Sequence, residues 1–80
     1  MDKMHQQIRA NLQSMAPRRA IAFVEGLQLP EDEARTVIEC DVRRRSCLEA
    51  AYNLNLSPEM IKNYRRRAYK KIADELRYGT

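Results

Sequence analysis

Apolar positions recur along this chain at helical spacing almost throughout. Met4, Ile8, Leu12 and Met15 stand at i, i+4, i+8 and i+11, a narrow stripe that predicts a helix over residues 2–15. Pro17, a favoured first helical residue, restarts the chain. Ala20, Ile21, Val24 and Leu27 then share one side of a second helix, with Phe23 close by and Gly26 as its expected stop. Leu29-Pro30 opens a third, with Pro30 at its first position and Glu31, Asp32 and Glu33 in the first turn, where carboxylates suit the helix dipole. Its periodic positions are Ala34, Val37, Ile38, Asp41 and Val42, so that Asp41 is a polar exception on an apolar face. This helix is expected to run to about residue 43.

Two further helices follow. Ser46-Cys47-Leu48-Glu49 has the capping-box spacing and predicts a short helix over residues 47–54 with Ala50, Ala51 and Leu54 inside. Asn55 tolerates a left-handed backbone, Ser57 is a strong N-cap and Pro58 suits the first helical position. Leu56 before the cap and Ile61 within the first turn and a half have hydrophobic-staple spacing. Ile61, Tyr64, Ala68, Ile72 and Leu76 then form the apolar face of a last helix over residues 58–77. At that spacing Tyr64 reads as a core residue, although Tyr64 and Tyr69 also sit among basic residues, as base-stacking aromatics do. The pattern predicts an all-α fold, a bundle of about five helices. Residues 1–28 supply two N-terminal helices, and residues 29–80 hold a helix-turn-helix.

Composition supports this. Hydrophobic residues make up 44% of the 80 and charged residues 32%, with only 2 Gly and 3 Pro, which suits a small globular domain rather than a disordered chain. No apolar run is long enough to span a membrane, and residues 1–15 lack the hydrophobic block of a signal peptide. A cytoplasmic chain is expected. Cys40, Cys47 and His5 have no zinc spacing, and the two cysteines are expected as free thiols. No Ser/His/Asp set, phosphate loop or carboxylate pair points to catalysis, so no enzyme, cofactor or metal is expected.

Charge changes the picture more. Residues 29–42 carry 1 basic and 5 acidic groups, net −4, whereas residues 43–71 carry 9 and 2, net +7. One strongly basic segment in a small domain is the electrostatic footprint of a polyanion binder. Advancing 100° per residue from a buried Ile61 puts Glu59, Asn63, Arg66 and Lys70 opposite the core, flanked by Lys62 and Arg67. Arg reads guanine, Asn adenine and Glu cytosine by hydrogen bonds in the major groove, and a recognition helix uses its N-terminal residues for bases. Lys70 and Lys71 lie farther along, where phosphate contact is the commoner role. Candidate DNA contacts are therefore Ser57, Pro58, Glu59, Lys62, Asn63, Arg66, Arg67 and Lys70. Arg44 and Arg45 join them from the Arg43-Arg44-Arg45 connector, which reads equally as a phosphate clamp or a solvated loop.

The ordered set Leu29, Pro30, Ser46, Glu49, Ala51, Leu54, Leu56, Ser57, Ile61, Lys62, Arg67, Ala68, Lys71 and Ile72 resembles the fourth conserved region of bacterial sigma factors, in register over residues 29–76. The resemblance implies recognition of an upstream promoter element by the last helix and contact with the RNA polymerase core. By position, Pro58, Glu59, Lys62, Asn63 and Arg66 would face double-stranded DNA. The chain departs from the family at Asn55, where a turn glycine is usual, at the three-arginine connector and at Pro58. At 80 residues it is expected to lack the sigma regions that melt DNA, which favours a small sigma-like regulator of phage or mobile-element type.

Two other readings remain open. A phage small-terminase-like packaging subunit would use the same motif in a ring. A protein-interaction module would use it to bind RNA polymerase. The Met4-Ile8-Leu12-Met15 stripe is expected to cover the domain or to join a partner helix, for example in a homodimer through residues 1–28. The acidic turn at residues 31–33 reads as a helix-dipole preference or a docking patch for a basic surface.

Overall fold

In a computed structural model the described residues are 3–78, with the side chains of Met4 and residues 76–78 left out. The expectations placed on Met4 and Leu76 therefore lie outside the described residues. Five α-helices and one π-helical segment follow each other, and no strand occurs among the described residues: α1 (Lys3–Ser14), α2 (Pro17–Gly26), α3 (Glu31–Val37), the π-turn (Ile38–Val42), α4 (Cys47–Leu54) and α5 (Pro58–Tyr78). At about 1.5 Å per residue, the 21 residues of α5 span most of the 36 Å long axis. α1, α3 and α4 pack against α5, and α2 packs against α1, α3 and the π-turn.

The α1 stripe is spent on the interior. Ile8 and Leu12 are buried in one cluster with Val24 of α2, Val37 of α3, and Ala68, Tyr69 and Ile72 of α5, so α1 and α2 share the core of the following helices. A second, smaller cluster holds Cys40, Ala50, Ala51 and Ile61, with Cys47, Leu54 and Leu56 against it. This is the junction of α4 and α5. Alanines at positions 50 and 51 let the two helices approach, and the Leu56–Ile61 staple closes the corner.

Local chemistry sets most boundaries. Ser46 Oγ accepts from the Glu49 N–H at 3.1 Å, and the Ser46 N–H donates to Glu49 Oε1 at 3.0 Å, completing the capping box. Hydrogen bonding to the carboxylate, first from the Ser46 backbone N–H and then from its hydroxyl, holds the Glu49 carboxyl below its ordinary value of 4.5. Asn55 ends α4 in the left-handed region, at φ 60° and ψ 44°. Ser57 Oγ caps α5 by accepting from the Met60 N–H at 3.2 Å.

Four details differ from the sequence expectation. Pro30 is the N-cap of α3 rather than its first residue. Gly26 is still helical, and the left-handed residue that turns the chain is Gln28, at φ 55°. The third helix changes to π-helical pitch from Ile38, where the Arg43 N–H reaches back to the Ile38 carbonyl at 2.8 Å. The buried tyrosine is Tyr69, 1% exposed, while Tyr64 is half-buried. Asp41 is buried within the π-turn, and Tyr69 is the side chain that meets it.

Candidate nucleic-acid interface

The helix–turn–helix formed by α4 and α5 is held at its corner by the caps just described. Cys47 adds to them, because its thiol lies 3.5 Å from the Pro58 carbonyl and links the first residue of α4 to the first of α5. With Ile61, Ala68 and Ile72 buried, the opposite face of α5 is outward. Pro58, Glu59, Lys62, Asn63, Arg66, Arg67 and Lys70 are all exposed, as is Ser57 before them. Arg67 lies over the ring of Tyr64, 6.0 Å from its centroid, which keeps its guanidinium at the edge of this face.

The basic residues are either paired within the chain or not, and the exposed, unpaired ones among the described residues include Lys3, Arg18, Arg19 and Arg35 on α1, α2 and α3 as well as four on α5. Arg9, Arg43, Arg45, Arg65 and Lys71 are each paired with a carboxylate of the chain. Among the described residues no ion pair takes up Lys62, Arg66, Arg67 or Lys70. Lys71, read as a phosphate contact, instead donates to Glu33 Oε1 at 2.9 Å and ties α5 to α3. Glu33 is itself buried, so one of the three acidic groups at the head of α3 serves the fold.

The arginine connector is ordered by the chain itself. Arg44 takes a left-handed backbone, φ 58°, and donates from Nη2 to the Gln13 carbonyl at 3.1 Å. Arg45 Nε lies 2.8 Å from Glu39 Oε2, and Arg43 Nη1 lies 3.7 Å from Glu39 Oε1. Arg44 thus spends part of its donor capacity inside the chain, and Arg45 is held by charge against Glu39. A guanidinium has five N–H donors, and both residues stay exposed.

Sequence reasoning singled out Asp41 without finding its partners. Asp41 is fully buried, and its carboxylate accepts from the Tyr69 hydroxyl at 2.6 Å and from Arg65 Nη2 at 2.7 Å. Arg9 Nε stands 3.4 Å away. Burial pushes the Asp41 carboxyl up from its ordinary value, and the Tyr69 hydrogen bond and the Arg9 charge pull it back. Tyr69 is pushed up as well, first by burial and then by its bond to Asp41. The network joins α1, the π-turn and α5, and so fixes the helix that carries the candidate face. A lone aspartate on an apolar stripe was the available signal, since a buried charge requires partners. The Arg65–Tyr69 spacing of four on α5 offered them.

His5 packs edge-on to Tyr69, with ring centroids 5.0 Å apart, so α1 reaches the flank of this face. Elsewhere, Leu48 and Tyr52 stand one turn apart on α4 and are 71% and 88% exposed. Among the described residues no group of three His, Cys, Asp or Glu is placed to hold a metal ion, and no helix is long and apolar enough to cross a membrane. No family model matches the chain, and no curated protein or solved structure matches it.

Proposed function

We propose that the chain is a sequence-specific DNA-binding transcription regulator that places α5 in the major groove. The observation that carries this reading is the division of basic residues. Five are paired with carboxylates of the chain, while four of those without an ion pair among the described residues, Lys62, Arg66, Arg67 and Lys70, are exposed together on a single stretch of a capped helix. Asn63 and Glu59 lie among them, so the face combines phosphate-binding charge with side chains able to discriminate base edges. The resemblance of residues 29–76 to the fourth conserved region of sigma factors points to promoter DNA as the duplex and to a small sigma-like regulator as the type of protein. In that role α4 would cross the backbone, and Ser57 and Pro58 would meet the duplex at the head of α5.

A second reading has one observation in its favour. Leu48 and Tyr52 form an exposed apolar pair on α4, which suits a protein surface such as RNA polymerase better than a phosphate backbone.

The deciding experiment is selection from random-sequence DNA at moderate salt, with the wild type and with an Asn63→Ala/Arg66→Ala double variant. A defined motif that the double variant loses supports base reading. Retention without a motif reduces the chain to a non-specific binder, and no retention overturns the DNA reading in favour of a protein contact through α4.

A further inference from the structure

Between α1 and α5 lies an open cavity of about 180 Å³ lined by His5, Lys62, Arg65, Arg66 and Tyr69. The four α5 residues stand at i, i+3, i+4 and i+7, so they share one face, and α1 closes the cavity from the side with His5. Among the described residues that line the cavity, three of five are cations and none is a carboxylate. Asp41, which is bonded to both Arg65 and Tyr69, is already occupied by them.

We propose that this cavity is a binding site for a single phosphate group. Arg65 is its fixed element. Its Nη2 is bonded to Asp41, its Nε donates to the Tyr69 hydroxyl at 3.1 Å, and its guanidinium stands 5.2 Å from the Tyr69 ring centroid. A guanidinium anchored on one side retains donors on its other side in a set orientation, and that preorganisation favours an anion that presents two oxygens side by side, as a phosphate does. Lys62 and Arg66 are exposed and can swing over the mouth. Size gives the limit. The cavity, about 180 Å³ and open to solvent, has room for a phosphate group. It falls short of the roughly 300 Å³ at which pockets begin to enclose whole drug-sized ligands. The site therefore takes the phosphate and leaves the rest of its bearer outside.

The inference stands on the cavity and its charge rather than on base reading by α5. It places α1, through His5, in a binding surface that the helix–turn–helix alone does not contain. The phosphate can belong to a DNA backbone running beside α5 or to a free phosphorylated molecule.

The test is a titration of the full ¹⁵N-labelled chain with sodium phosphate, followed by amide and side-chain shifts, against sodium chloride at the same pH and ionic strength. Saturable shifts at His5, Lys62, Arg65, Arg66 and Tyr69 are expected with phosphate alone. Lys62→Met should weaken them at least about tenfold, the scale of one charge-assisted hydrogen bond. Arg18→Met, an exposed charge on α2, should leave them unchanged. Shifts that do not saturate, that chloride reproduces, or that both variants weaken alike overturn the site. A mixed-sequence duplex then separates the sources. Loss of the phosphate response on adding duplex assigns the site to the DNA backbone, and an unchanged response on duplex-bound protein assigns it to a free phosphorylated molecule. If the chain ignores duplex but keeps the saturable response, the regulator proposal fails while the phosphate site stands.

Discussion

The Tyr69 hydroxyl donates to Asp41 Oδ2 at 2.6 Å, in a place where both side chains are withdrawn from water. This bond couples the π-turn to the helix that carries the exposed basic face. Tyr69→Phe keeps the ring in the core and removes only the donor, leaving part of a buried carboxylate unsatisfied. It should destabilise the chain by about 1–3 kcal/mol. Asp41→Ala strands Arg65 and Tyr69 together and should cost about 3–5 kcal/mol. Urea unfolding of both variants and of the double variant checks the coupling, because residues in one network are expected to be less than additive.

Thr36 should respond in the opposite direction. It is fully buried in α3, and its hydroxyl has no hydrogen-bond partner among the described residues. Thr36→Val keeps the shape and replaces the desolvated hydroxyl with a methyl. A gain of about 1 kcal/mol is expected, within the range measured for unpaired buried hydroxyls. A raised urea midpoint with an unchanged m-value would bear this out, and a lowered midpoint would contradict it.

The capping box gives a pH dependence of defined sign. Glu49 is held below its ordinary 4.5 by the hydrogen bonds to Ser46. Its contribution is therefore present above pH 4.5 and is lost as pH falls through the lower folded value. Glu49→Gln can still accept from the Ser46 N–H but does not titrate, so its stability should fall less steeply than wild type on the acid limb. Thermal unfolding from pH 6 down to pH 3 measures the difference in slope.

The two thiols should react at very different rates. Cys40 is 7% exposed, and burial, reinforced by Asp41, pushes its thiol up to about 12. At pH 8 such a group is only about one part in ten thousand thiolate. Cys47 is half-buried at the start of α4 and should be alkylated first. Mass spectrometry after iodoacetamide should show one fast adduct, with the second following the unfolding curve in urea.

On the proposed interface, Arg66→Ala should weaken binding to a selected site by about 1–3 kcal/mol and relax preference at one base position. A phosphate role would instead lower affinity equally for all duplexes and flatten the salt dependence. With five or six phosphate contacts the log–log salt slope of the wild type should lie near about −5, which fluorescence anisotropy across a salt series would read.

The elements of this fold were open to sequence reasoning because their signals are local. Ser46 and Glu49, Asn55, and Ser57 with Pro58 each act on backbone groups within four residues, so residue type and spacing were sufficient to place α4, the turn and α5. The outward position of Lys62, Asn63, Arg66 and Lys70 followed from helical geometry once Ile61 was taken as buried. What depended on tertiary structure was the use of each charge. Arg65, Arg66 and Arg67 are consecutive and chemically identical, yet Arg65 is bound to Asp41, Arg66 is outward and Arg67 lies over Tyr64. Asp41 lies 24 residues from Arg65, 28 from Tyr69 and 32 from Arg9. No local rule joins positions so far apart. Asp41 is buried in the π-turn, a buried carboxylate demands donors, and the packing of α1 and α5 determines which side chains supply them.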